Sequence, residues 1–238
     1  MSWQERTELL LRKDKVAKLN RSHVLVVGLG GVGAAAAEML CRAGVGHLTI
    51  VDADAVHPSN INRQLPALHS TIGKTKASIL KDRLLDINPE ADIIALTEFL
   101  KDERTEALLK ENRFDFVVDA IDSISPKVYL LYHCLQQKIP VVSAMGAGGK
   151  LNLADIRLAD ISDTYQCNLA KVVRKRLKEL GINRGIPVIF SPEPVQKNVI
   201  IEVDEQNKRS STGTISYVPA VFGCYLAEYV IKAIIYQS

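Results

Sequence analysis

The chain has 238 residues, 47% hydrophobic and 24% charged, with a formal net charge of +3. That length and apolar content support one large core rather than two small ones, while so small a net charge sets up no global field for nucleic acid, so any basic surface is local. The four cysteines, Cys41, Cys134, Cys167 and Cys224, are scattered with no C-x-x-C pair, which argues against a disulfide framework and a zinc knuckle and fits reduced thiols in the cytoplasm.

In chain order, the first twenty residues alternate charge with leucine, contain no signal-peptide core, and predict an amphipathic helix. Apolar, β-branched runs predict strands at Val24–Gly28, His47–Val51, Asp92–Leu96, Phe114–Asp119 and Pro140–Ala144. Such nearly continuous apolar runs suit a parallel sheet covered on both faces. Helices are predicted between them at Gly33–Ala43, Lys74–Ile87, Asp102–Asn112 and Pro126–Lys138. Ser125-Pro126 reads as a helix start and Asn88-Pro89 as a stop. After about residue 150 the pattern changes. Lys150–Ile161 looks extended, Thr164–Leu180 is a basic helix, Pro187–Ser191 and Asn198–Val203 read as short strands, and Gln206–Gly213 as a polar loop. Pro219–Ile235 is apolar but interrupted by Glu228 and Lys232, and a membrane span needs about 20 apolar residues. Val221, Phe222, Tyr225, Tyr229 and Ile234 recur at helical spacing, so a buried helix in a soluble protein is expected, with Cys224 as packing. The expected fold class is α/β: a doubly wound, mostly parallel, Rossmann-like sheet with an antiparallel C-terminal extension. One domain is expected, with a nucleotide-binding core over about 1–150 and a substrate or interface part over about 151–238.

The chemistry centres on Gly28-Leu29-Gly30-Gly31-Val32-Gly33, which follows the first predicted strand and opens an alanine-rich helix. Backbone N–H groups at such a helix start point at an anion, and glycine lets the chain approach it closely. Asp52, at the end of the second predicted strand, is placed to accept ribose hydroxyls. Alone, these features also allow an NAD(P)-dependent oxidoreductase. Asp54, Asn60-Ile61-Asn62-Arg63-Gln64, Lys76 and Asp122 go further. Arg63 and Lys76 can neutralise triphosphate oxygens and a leaving pyrophosphate. Asp122 lies just past the carboxyl end of its strand, where ligands of open α/β sheets bind and a carboxylate can hold magnesium.

Those segments, with Val51-Asp52-Ala53-Asp54 and Gly73-Lys74-Thr75-Lys76, resemble in order and spacing the adenylating domain of the ThiF, MoeB and HesA type. That domain is shared by ubiquitin-activating enzymes and the bacterial activators of sulfur carriers. The resemblance covers roughly residues 5 to 150. It implies ATP-dependent activation of a carboxylate as an acyl-adenylate, with Asp52 on the ribose, Arg63 and Lys76 on the phosphates and Asp122 on Mg2+. It also brings Gly28, Gly30, Gly31, Gly33, Asp54, Asn60, Asn62, Gln64 and Ser123 into the nucleotide site. Arg6 resembles the arginine that reaches into a partner subunit's site, so the resemblance implies a homodimer. Sulfur-carrier activators usually carry two zinc-binding C-x-x-C pairs, which this chain lacks. Asp119-Ala120-Ile121-Asp122-Ser123-Ile124-Ser125-Pro126-Lys127 and Gly146-Ala147-Gly148-Gly149 look instead like the branch of tRNA threonylcarbamoyladenosine dehydratases. The alternative within the family is adenylation of a ubiquitin-like sulfur-carrier protein, and a sulfur-transfer partner stays open.

Lys171, Arg174, Lys175 and Lys178 fall at i, i+3, i+4 and i+7, with Arg176 and Arg184 near, and predict a basic helix face able to track tRNA phosphates. Cys167 precedes that helix in Ser162-Asp163-Thr164-Tyr165-Gln166-Cys167. A thiol there would gain reactivity from positive charge, but burial is the simpler expectation.

Overall fold

The computed structural model describes residues 2–205 and 208–236. Two short helices, α1 (Glu5–Leu11) and α2 (Lys13–Asn20), stand where one was expected, because Arg12 between them takes a left-handed φ of 74°. Strands β1 (His23–Val27), β2 (His47–Val51), β3 (Asp92–Leu96), β4 (Phe116–Asp119) and β5 (Val141–Ala144) then alternate with α3 (Gly33–Ala43), α4 (Lys76–Ile87), α5 (Asp102–Glu111) and α6 (Ile124–Gln136). The remainder forms β6 (Arg157–Asp160), α7 (Asn168–Glu179), β7 (Pro187–Phe190), β8 (Ile200–Glu205), β9 (Lys208–Thr212) and α8 (Tyr217–Tyr236).

The main sheet has the order β3-β2-β1-β4-β5-β7-β6. All its pairs are parallel except β6 on β7. Alternation along β1 feeds two cores: Val24 and Val26 pack with α3, α4 and α8, while Leu25 and Val27 pack with α5, α6 and α7. β2 and β3 lie to one side of β1, and β4 and β5 to the other. The loops after β1 and β4 therefore part at a switch point, where open α/β sheets take their ligands.

α8 is, among the described residues, the one helix long and apolar enough to cross a membrane, yet half of that stretch is buried inside the fold. Its buried stripe runs through Val218, Phe222, Leu226, Val230 and Ile234, with Val221, Tyr225 and Tyr229 partly buried beside it. A Cβ on Gly223 would lie 2.5 Å from the Val32 carbonyl oxygen and 2.7 Å from Ala35 Cβ, so this glycine lets α8 close onto α3. Cys224 faces the other way and is exposed, not a packing residue.

Four further expectations are corrected. α6 begins at Ile124 with Ser123 in the N-cap position, so Ser125 and Pro126 sit inside its first turn. α4 begins at Lys76 rather than Lys74, because the Ala55–Thr75 bridge and the Lys76 N–H to Asp54 carbonyl bond hold Thr75 extended. The basic helix starts only at Asn168, since Gln166 takes a φ of 51°. Of the C-terminal strands, only β6 adds antiparallel to the main sheet. β8 and β9 pair with each other as a separate hairpin, with β9 in place of the predicted loop; Gln206 and Asn207 lie outside the described residues.

Candidate active site

The glycine turn is built on contact distances. Gly28 has a φ of 87°, its N–H donates to the Val51 carbonyl at 2.8 Å, and a Cβ on it would lie 2.7 Å from the Ala120 carbonyl oxygen. A Cβ on Gly33 would stand 1.7 Å from the Gly28 carbonyl oxygen, and one on Gly31 would press on Arg63 and Pro219. These positions bring β1, β4 and the 59–64 loop together around α3. Gly30 differs: a Cβ there would meet only Gln64 Nε2, at 3.7 Å. That opening is where a ligand can reach the turn.

β2 delivers Asp52 beneath this turn. Its Oδ2 accepts the Leu29 N–H at 2.6 Å and its Oδ1 accepts the Asp54 N–H at 2.8 Å. Burial raises the Asp52 carboxyl pKa, and the nearby Lys76 ammonium opposes that shift. Lys76, itself buried, donates to Asp54 at 2.7 Å and lies 3.9 Å from Asp52. Lys76 is thus no solvated helix residue, and Asp54 is what holds its ammonium in place.

The 57–64 loop is braced within itself and tied to the segment after β9. Asn60 accepts the His57 N–H at 3.1 Å, and Asn62 donates to the Thr214 carbonyl at 2.9 Å. Arg63 donates to the Ser59 carbonyl and to Asn62 Oδ1, each at 2.9 Å. Burial lowers the Arg63 pKa and the Asp122 carboxylate acts against it, so the fold brings Arg63 and Asp122 within electrostatic reach of each other. Gln64 is buried with its Oε1 unpartnered, an open acceptor beside the gap at Gly30.

Sequence reasoning passed over the support under Asp122. Lys127 on α6 is fully buried and donates to Asp119 Oδ2 at 2.5 Å, to Ser143 Oγ at 3.1 Å and to the Ala144 carbonyl at 2.9 Å. Ser143 donates to the same Asp119 oxygen at 2.6 Å, while Asp119 Oδ1 accepts the Ile121 N–H at 3.1 Å. One buried cluster therefore fixes β4, β5, α6 and the turn that presents the exposed Asp122 and half-buried Ser123. The signal was available: Lys127 lies on the same helical stripe as Leu130, Leu131 and Cys134.

Other expected residues lie apart from this centre. Arg6 is exposed on α1, whose preceding Gln4 bonds Asn20 and sits beside Gly44 at the far end of α3. On α7, Lys171, Lys175 and Lys178 are exposed and line a concavity of about 740 Å³ with Asn168 and Asn183. Arg174 is only half-buried in that wall and turns one nitrogen inward, to the Thr164 carbonyl at 2.8 Å and to Thr164 Oγ1. Arg176 points elsewhere, donating to Ser125 Oγ at 3.1 Å. The four cations therefore do not form one equivalent row. Cys167 is buried. Lys150 lies near it, and burial, the larger effect, lowers the Lys150 pKa.

Comparison with known proteins gives this geometry its context. The model of the ThiF family matches residues 4–237. The chain is 41% identical over 234 residues to a tRNA threonylcarbamoyladenosine dehydratase of Bacillus subtilis, covering 95% of this chain and 92% of that one. It is 36% identical to the Escherichia coli molybdopterin-synthase adenylyltransferase over 65% of this chain and 61% of the relative. The crystal structure of E. coli tRNA N6-threonylcarbamoyladenosine dehydratase in complex with ATP superposes with a TM-score of 0.89 at 32% identity, covering 98% of this chain and 94% of that one. The chain belongs to the ThiF family.

Proposed function

We propose that the chain catalyses the ATP-dependent, AMP-forming adenylation of a carboxylate in the cyclising dehydration of threonylcarbamoyladenosine in tRNA. The observation that carries this reading is the paired charge set flanking the Gly28–Gly33 turn: Asp52, Asp54 and Lys76 on one side, Arg63 and Asp122 on the other. A redox dinucleotide needs only the first carboxylate. In the reaction, a carboxylate oxygen attacks the α-phosphorus of ATP and pyrophosphate leaves. A group in the same modification then attacks the activated carbonyl, AMP departs and a ring closes. Relatives across 92–94% of their own length carry the dehydratase name, which supports that substrate over a carrier protein.

The residues fit the nucleotide. Asp52 is placed for ribose hydroxyls, the Gln64 oxygen is an unpartnered acceptor, and Gly30 leaves the turn open. Arg63 and Lys76 would stabilise the charge growing on pyrophosphate. Among the described residues no three His, Cys, Asp or Glu side chains cluster as metal ligands. A metal held by Asp122 and phosphate oxygens suits Mg2+, which supplies charge neutralisation there. Arg6, far from its own site, acts across a homodimer. Lys171, Lys175 and Lys178 contact tRNA phosphates, and the enzyme works in the cytoplasm. Calorimetric titration tests the nucleotide assignment: ATP with Mg2+ binds and NAD does not. Tight NAD binding without ATP binding overturns it.

A further inference from the structure

The segment 164–167 carries an aromatic side chain with no part in the chemistry above. Tyr165 is 47% exposed, yet its ring is held on several sides. It packs edge-to-face with buried Phe190, with centroids 5.7 Å apart and planes at 73°. Arg157 donates to its hydroxyl at 2.7 Å, and the guanidinium carbon lies 5.9 Å from the ring centroid. The backbone is fixed before it, where Thr164 Oγ1 donates to the Ile161 carbonyl at 2.7 Å and Arg174 donates to the Thr164 carbonyl at 2.8 Å. After it, Gln166 adopts a left-handed φ of 51°, a conformation that costs free energy and persists only where its surroundings impose it. A ring this well anchored and this exposed is pre-organised for a partner.

Its position follows from strand register. Val27, Asp119, Ser143 and Val188 form one row across β1, β4, β5 and β7. Arg157 pairs with Phe190, two residues beyond that row, on the level of Leu29 and Ile121 where the nucleotide site opens. β6 stands four strand spacings from β1, about 19 Å. Between them lies the Gly146–Gly149 segment, where a Cβ on Gly146 would come 3.9 Å from Cys167 Sγ. Arg174 belongs at once to the basic concavity and to the segment that presents Tyr165. The ring therefore stands on the edge that carries the reaction and is continuous with the basic face.

We propose that Tyr165 and Arg157 form a stacking platform for a nucleobase of the RNA substrate, one or a few nucleotides from the reacting adenosine. The proposal rests on the RNA reading above. Single-stranded bases are recognised by splaying them onto aromatic rings and guanidinium planes, and a tRNA loop supplies such bases. The platform adds a contact of different physics from the lysines: it is uncharged on the tyrosine side and independent of counterion release.

The test measures binding of tRNA carrying threonylcarbamoyladenosine to the full chain across a salt series. Tyr165→Ala weakens binding about tenfold, the scale of one lost base stack, and leaves the slope of log K against log salt unchanged. Replacing Lys171, Lys175 and Lys178 together flattens that slope. Tyr165→Phe, which keeps the ring, retains affinity within about twofold, well under the cost of a lost stack. In a Trp3→Phe background, Tyr165→Trp makes the only tryptophan of the chain a reporter, and its emission is quenched on tRNA binding. Unchanged affinity in Tyr165→Ala, or equal loss in the alanine and phenylalanine variants, overturns the platform and leaves the RNA reading standing. Absence of salt-dependent tRNA binding by the unaltered chain overturns both.

Discussion

Replacing Lys127 by methionine removes the cation of the buried pair while keeping an unbranched chain of similar length. Asp119 keeps two donors, the Ser143 hydroxyl and the Ile121 N–H, but its Oδ2 loses the ammonium at 2.5 Å in a place where neither partner has any exposure. An uncompensated buried charge costs about 3–5 kcal/mol, a large share of the roughly 5–15 kcal/mol that holds a domain folded. Urea denaturation followed by circular dichroism measures this as a fall in transition midpoint with unchanged slope. The double variant Lys127→Met with Asp119→Asn removes both charges and regains more than half of the loss, because the penalty comes from the charge left behind. A single variant that loses less than about 1 kcal/mol, the scale of a surface pair, refutes the cluster as the support of the Asp122 turn.

Three other outcomes are expected. Arg63→Ala and Lys76→Ala each lower ATP–pyrophosphate exchange by about 10²-fold, the scale of removing one pre-organised donor; near-normal exchange in both places the phosphates elsewhere. Mixing an Arg6→Ala protein with an Asp122→Asn protein restores part of the activity through heterodimers that keep one intact site, and no recovery despite verified subunit exchange removes Arg6 from a partner's site. His23 has a pKa lowered by burial first and by His47 second, against the pull of Asp92 and Asp115. The unfolded chain then binds the proton more readily, so this contribution to stability is complete above the ordinary value of 6.5 and is lost as pH falls below it. His23→Gln flattens the loss in unfolding free energy below that pH, and an unaltered profile contradicts the assignment.

The parallel half of the fold was legible because its strands are buried on both faces and so read as continuous apolar runs, as in Val24–Val27. The β8–β9 hairpin was not, because Lys208–Thr212 pairs outside the main sheet and carries no apolar alternation. At α6 the local preference of Ser125-Pro126 lost to a start at Ile124, which places Lys127 on Asp119. In the site, residue types and spacing singled out Asp52 and Asp122 just past strand ends, Lys76 at a helix start and Arg63 in the loop after β2, and the fold gathers them about the glycine turn. What spacing cannot show is partnership. Asp54 holds Lys76, Arg174 turns toward Thr164, and Tyr165 is held by Phe190 and Arg157.

The central claim is a chemical conversion, and its most direct test is to incubate the protein with ATP, Mg2+ and tRNA carrying threonylcarbamoyladenosine, then digest the tRNA and weigh its nucleosides by mass spectrometry. The account predicts that the modified nucleoside loses the mass of one water, that one AMP and one pyrophosphate appear for each nucleoside converted, and that Asp122→Asn slows both together. An unchanged nucleoside mass in the presence of a protein that binds ATP and tRNA would contradict it.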